Sequence, residues 1–143
     1  MLSNYELMIK DFFDTKEKDA EGYFKIGVCD DFIKRSINAN TSDVVMSQVS
    51  LKKNIEHHSD LTLDDYRALD NIFDRYEILI KDGENTVGVV YIGTEKYYYA
   101  LKSTKSGDTI FLTSFRKTNN KDINRLRKKV DKKRAVMLMD NLD

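Results

Sequence analysis

The sequence predicts an α+β domain in which N-terminal helices pack on a four-stranded antiparallel meander, followed by a basic C-terminal helix. Three observations carry this prediction. Before residue 74 the longer apolar patterns recur at three- and four-residue spacing. From 77 to 117 the period shifts to two, across four runs separated by short turns. After 119 a helical stripe returns, now in a setting of lysines and arginines.

The elements follow in order. Residues 3–19 read as a helix, since Tyr5, Met8, Ile9, Phe12 and Phe13 share helical spacing, and Gly22 ends it. GYFKIGVC (22–29) has the aromatic and β-branched residues of a strand. DDFIKRSI (30–37) reads as a short helix with acids in its first turn, where the helix dipole favours them. VVMS (44–47) is a short buried strand, and the helix after it contains LKKNIEHHSDL (51–61). In LTLDDYRALDNIF (61–73) Thr62 precedes Asp65 by three residues, the spacing of a capping box, and Leu63, Tyr66, Leu69 and Phe73 share a face. EILIK (77–81), NTVGVVYIG (85–93), KYYYALKST (96–104) and DTIFLTSFRK (108–117) are four consecutive strands. Asp82-Gly83, Gly93-Thr94-Glu95 and Lys105-Ser106-Gly107 turn between them, which implies an antiparallel meander. Residues 119–133 read as a helix on an Ile123, Leu126 and Val130 stripe, and AVMLM (135–139) fits either its extension or an edge strand.

A chain of 143 residues, 41% apolar and 34% charged, is long enough for one domain with one buried core and too apolar to be disordered. No repeat or linker divides it, so a single domain over 1–143 is expected. No apolar run approaches the roughly 20 residues that span a bilayer. Acids throughout the first 22 residues leave no signal-peptide core, and the expected location is cytoplasmic. Cys29 is the only cysteine, which excludes an internal disulfide. With only two histidines beside it, nothing points to a zinc site or to a cofactor. Cys29 reads as a small buried hydrophobe.

The formal net charge of zero conceals a segregation. From Arg116 to Arg134 there are ten bases and two acids, so this segment carries +8 and the remainder −8. A basic element on a neutral protein is a candidate phosphate-binding surface, against the alternative of a solvated face that serves solubility.

Both histidines stand side by side at 57 and 58. On an ideal helix Leu51, Ile55 and His58 fall within about 60° of one another, whereas Lys53 and His57 share the opposite side. His58 therefore turns toward the core and His57 toward solvent. Histidine alone has an ordinary pKa near neutrality, so His58 is a candidate for proton transfer. Regular alternation in 108–117 puts Ile110, Leu112, Ser114 and Arg116 on one face, running from core to solvent, and Phe111, Thr113 and Phe115 on the other. Ser114 and Arg116 are then placed to donate to a phosphate.

The order of four stretches resembles the phage-type nuclease domains of the barnase–EndoU–colicin–RelE (BECR) superfamily. These are FKIGVCDDFIK (24–34), VVMSQVSLKKNIEHHSDLTLDDYRAL (44–69), KYYYALKST (96–104) and TIFLTSFRKTNNKDINRLRKK (109–129). The resemblance implies a nuclease domain over 22–133 after an N-terminal helical extension, 1–21. It implies cleavage of RNA without a metal ion, by attack of a ribose 2′-hydroxyl on the adjacent phosphorus, and a phage or toxin effector role. Carried over by position, the family's lysine falls on Lys53, its histidine on His58, its Ser or Thr on Ser114 and its base on Arg116. In such a site His58 acts as acid or base, Lys53 and Arg116 stabilise charge, and Ser114 orients the phosphate. Lys52, His57, Lys117, Thr118, Lys121, Arg125 and Lys128 would contact the nucleic acid backbone, and an inhibitor or antitoxin protein is the second implied partner. Tyr97, Tyr98 and Tyr99 would either stack on bases or belong to the core. The rival readings are a nucleic-acid-binding module and a protein-binding domain on the same fold.

Overall fold

Ser3 starts the first helix by accepting the Glu6 amide on its hydroxyl (3.1 Å), and α1 runs over Asn4–Asp14. The structure, a computed structural model, describes residues 3–142; positions 1, 2 and 143 of the expected domain and extension lie outside the described residues. α1 ends five residues before the 3–19 periodicity suggests. The Asp19 carboxylate accepts the amides of Glu21 and Tyr23, and Lys18 bridges Phe24, which folds the next segment into a tight turn with Gly22 at φ +83°. That turn feeds strand β1 (Phe24–Val28).

Asp30 caps α2 (Asp31–Ser36), and β2 (Asp43–Met46) leads to Ser47, which caps α3 (Gln48–His57). α4 (Leu63–Arg67) opens with the expected capping box of Thr62 and Asp65. It then tightens into a 3₁₀ turn, Ala68–Asn71, instead of continuing to 73. There β1 lies directly on the chain: a side chain at Gly27 would meet the Phe73 ring at 2.7 Å. Strands β3 (Ile78–Asp82), β4 (Asn85–Ile92), β5 (Glu95–Ser103) and β6 (Ile110–Lys117) follow, then α5 (Asn120–Asp131) and β7 (Val136–Asp140). The 135–139 run is therefore a strand. No helix among the described residues is long and apolar enough to cross a membrane.

The architecture is α+β, and β3, β4, β5 and β6 pair consecutively and antiparallel, but these four strands are only part of the sheet. It has seven strands in the order β1-β2-β6-β5-β4-β3-β7 and is mixed, because β2 runs parallel to β6 (Val44↔Ile110, Val45↔Phe111) while its other pairs are antiparallel. Non-local pairing of this kind leaves no mark in a local period. The expected 22–133 boundary also omits β7, which pairs with β3.

Two cores lie on the two faces. The first buries Ile9 and Phe13 of α1 with Leu51, Ile55, Tyr66, Tyr97, Tyr99 and Phe115, so α1 shares one core with the sheet. The second sets Ile123 and Leu126 of α5 on Ile78, Ile80, Val87, Val89 and Ala100. A bulge in β6 decides which side chains reach which face. Ser114 pairs with Ala100 and Leu112 with Leu101, leaving Thr113 as the extra residue, its hydroxyl donating to the Ala100 carbonyl at 3.1 Å. Past the bulge the faces exchange. Phe115 joins Ile110 and Leu112 in the first core, and Ser114 and Arg116 turn to the α5 face, contrary to the regular alternation expected for this strand.

Where β2 has ended, the edge of β6 is completed by a side chain. The Phe115 amide donates to Asn54 Oδ1 (2.9 Å), and Asn54 Nδ2 donates to the Phe115 carbonyl (2.9 Å) and to Tyr66 Oη (3.0 Å). Asn54 is 5% exposed, so these groups have no water to replace a lost partner. Asn54→Leu should destabilise the protein by about 2–4 kcal/mol, since it strands two buried backbone groups. Urea denaturation checks this, and Asn54→Asp, which keeps only the acceptor, should fall between the two.

Candidate functional site at the end of strand β6

The C-terminal end of β6 brings together Arg116 and Lys117 of the strand, His58 at the end of α3 and the start of α5. His58 is the residue that ends α3: its amide bonds the Asn54 carbonyl, and its φ of −127° and ψ of 62° lie outside the helical region. It is half-buried and lines a cavity of about 270 Å³ with Tyr5, Glu6, Ile9, Ile55, Leu61 and Tyr66, so the first turns of α1 lie beside it. Burial lowers the imidazole pKa from its ordinary 6.5, the Arg116 guanidinium lowers it further, and Asp60 opposes both. His57 is exposed at the end of α3.

Lys52 and Lys53 are both exposed on α3, and Lys52 borders the groove between α1 and α3. Neither Lys53, Ser114 nor Arg116 lines the His58 cavity. Ser114 and Arg116 belong to the α5 face, so they and His58 approach the end of β6 from opposite sides. Arg116 lies over the Tyr98 ring, 4.0 Å from its centroid, and donates to Asp122 Oδ2 at 3.0 Å. Thr118 Oγ1 lies 3.3 Å from the same oxygen, and Arg125 is 3.6 Å from Oδ1.

Lys117 stands between two carboxylates, 3.7 Å from Asp65 and 3.8 Å from Glu95. Asp65 is 5% exposed and accepts from the Thr62 amide and the Tyr97 hydroxyl. Burial acts to raise its pKa, but the Thr62 and Tyr97 hydrogen bonds and Lys117 outweigh it and hold the carboxyl below its ordinary 3.8. The same bond and burial push the Tyr97 phenol up. Tyr97 also stacks on Phe115, with centroids 5.4 Å apart. Of the tyrosine triplet, Tyr97 and Tyr99 are core and Tyr98 supports Arg116.

α5 supplies the basic surface. Lys121, Arg125, Lys128 and Lys132 fall within about 60° on the helix and span about 16 Å along it. All four are exposed, opposite the Ile123 and Leu126 stripe. Other bases of the segment are neutralised at home: Arg127 by Asp140 (2.8 Å) and Lys129 by Asp82 (3.0 Å).

Sequence reasoning passed over Asn54 and Asp122, took Asp65 only as a helix cap, and did not pair Tyr98 with Arg116. Asn54 had a signal, because helical phase sets it beside Leu51 and Ile55 on the buried side of α3. Asp122 gave no signal, because an acid in the first turn of a helix is favoured by the helix dipole without any partner. Among the described residues, no group of three or more His, Cys, Asp and Glu side chains is arranged to hold a metal ion.

No protein-family model matches the chain, and neither a curated protein nor a solved structure matches it.

Asp65 yields a pH-dependent expectation. Its folded-state pKa is depressed, so it contributes stability above 3.8 that is lost as pH falls through the folded value. Tyr97→Phe should cost about 1.5–3 kcal/mol at pH 7, the worth of a hydrogen bond to a charged group. The gap from wild type should narrow as pH drops below 3.8 in a denaturation series, and the Asp65 carboxyl should titrate higher by NMR.

Proposed function

We propose that this chain is a cytoplasmic, metal-independent ribonuclease that cleaves RNA through the 2′-hydroxyl. The observation that carries the reading is the place of His58, half-buried where α3 ends beside the end of β6, with burial and the Arg116 charge both lowering its pKa and so favouring the neutral imidazole. A neutral imidazole suits the general base, which refines the acid-or-base role given by the resemblance to BECR nucleases. In this reading His58 takes the 2′-hydroxyl proton as the 2′ oxygen bonds to phosphorus. The bond to the 5′ oxygen breaks and that oxygen takes up a proton from solvent water, leaving a 2′,3′-cyclic phosphate and a 5′-hydroxyl end. Lys53 and Arg116 stabilise the equatorial oxygens, Ser114 orients the phosphate, and the α5 stripe with Lys117 and Thr118 follows the backbone. An acidic inhibitor protein would compete for that stripe.

One observation favours a second reading. Arg116 is ion-paired with Asp122, and Ser114 lies on the face away from the His58 cavity. A nucleic-acid-binding module needs the exposed bases of α5 and no convergence of catalytic groups.

Cleavage of a short synthetic RNA in EDTA, followed by mass spectrometry, separates them. The ribonuclease leaves a cyclic phosphate end and spares a strand with 2′-deoxy at the cut nucleotide. A 5′-phosphate product that needs added Mg²⁺ overturns the mechanism, and salt-sensitive binding without any product favours the module.

The histidines provide a sharper test. His58→Ala should reduce kcat/KM by about 10²-fold or more, the usual worth of a general base, and His57→Ala by little. Since the His58 pKa is lowered, the acid limb of the wild-type pH profile should fall below 6.5.

A further inference from the structure

Asp122 is a carboxylate around which the donors of two elements converge. Arg116, at the end of β6, donates to Oδ2 at 3.0 Å, and the Thr118 hydroxyl donates to the same oxygen at 3.3 Å. Arg125, one turn along α5, reaches Oδ1 at 3.6 Å. A phosphodiester also presents two anionic oxygens on one centre, and two guanidinium groups with a hydroxyl are a fitting donor set for it.

Two features hold Arg116 and Thr118 in place without the carboxylate. Arg116 lies over Tyr98, 4.0 Å from the ring centroid, and the Thr118 amide is bonded to the Lys96 carbonyl at 2.8 Å. Arg125 belongs to the exposed stripe of Lys121, Lys128 and Lys132. A polymer of phosphates lying along α5 would bring one of its groups to this cluster. The Asp122 side chain is itself 23% exposed, so it has an outlet to solvent.

We propose that Asp122 holds the place of a phosphodiester, and that a nucleic acid phosphate entering along α5 displaces its carboxylate from Arg116, Thr118 and Arg125. The ion pair is then an autoinhibitory contact: it silences Arg116 until a competing anion of the right shape arrives. The inference rests on the ribonuclease reading for the identity of the polymer as RNA.

Binding is measured with the full chain and a fluorescent 2′-methoxy RNA oligomer, which has no nucleophile and so reports affinity alone. Asp122→Asn should tighten binding about five- to tenfold and steepen the salt dependence by about one ion. Asp122→Glu, which restores the charge, should return to wild-type affinity. Asp131→Asn removes an acid from the far end of the same helix and should change binding less than twofold. Adding Arg116→Met to Asp122→Asn should abolish the gain. Equal gains from Asp122→Asn and Asp131→Asn would reduce the effect to general surface charge and overturn the proposal, as would no gain in a variant with native near-ultraviolet dichroism. If Asp122→Asn does not fold, Thr118→Val serves instead: binding two- to threefold weaker supports the site, and unchanged binding overturns it. Cleavage by the wild type without tightening in Asp122→Asn defeats the displacement alone. Tightening without cleavage by any variant defeats the ribonuclease reading alone.

Discussion

The amide of Asn54, buried against the backbone of Phe115, is the contact on which the arrangement of this protein turns. It joins residues 61 apart in the chain. With it, α3 acts as the continuation of β2 along the edge of β6. The same amide bonds the Tyr66 hydroxyl, so α4 is tied to that point too. His58 follows Asn54 by one helical turn, and its amide bonds the Asn54 carbonyl. The position of His58 therefore follows from how α3 is anchored to the sheet.

The bulge at Thr113 sets the other half of the site. A strand with strict alternation would send Ser114 and Arg116 to the face of Ile110 and Leu112, under α3. One extra residue sends Phe115 there instead, where Tyr66 and Tyr97 meet it edge-on and stacked. Arg116 is turned onto Tyr98 and toward the acid at the start of α5. Charge crosses what geometry separates, because the guanidinium still depresses the His58 pKa. The proposed reaction would need groups from both faces to act around the end of one strand.

Much of the framework was legible because it is local. Alternation and glycine turns identify β3 to β6, the Thr62 and Asp65 spacing announces α4, and the apolar stripe defines α5. The seven-stranded mixed sheet was not legible, since β2 beside β6 and β7 beside β3 are choices of tertiary packing. Nor was the bulge, because threonine is an ordinary strand residue and no glycine marks the place. Helical phase correctly turned His58 inward even though the helix ends before it. It also placed Asn54 on the buried face, where its polarity was the sign of a partner. The pairing of Arg116 with Asp122 had no local signal, as it needs the turn from β6 into α5 to be known.

Cys29 follows β1 in the chain, and its amide is bonded to the Ser42 carbonyl at 2.9 Å. The thiol is buried, and burial with the neighbouring Asp30 charge pushes its pKa up to about 11. At neutral pH only about one molecule in ten thousand carries the thiolate that alkylating agents and oxidants attack. Burial and the raised pKa both slow the reaction of Cys29 with thiol reagents. A cysteine placed at an exposed position would react ahead of it, so a dye or spin label could be attached at one chosen site with Cys29 left in place.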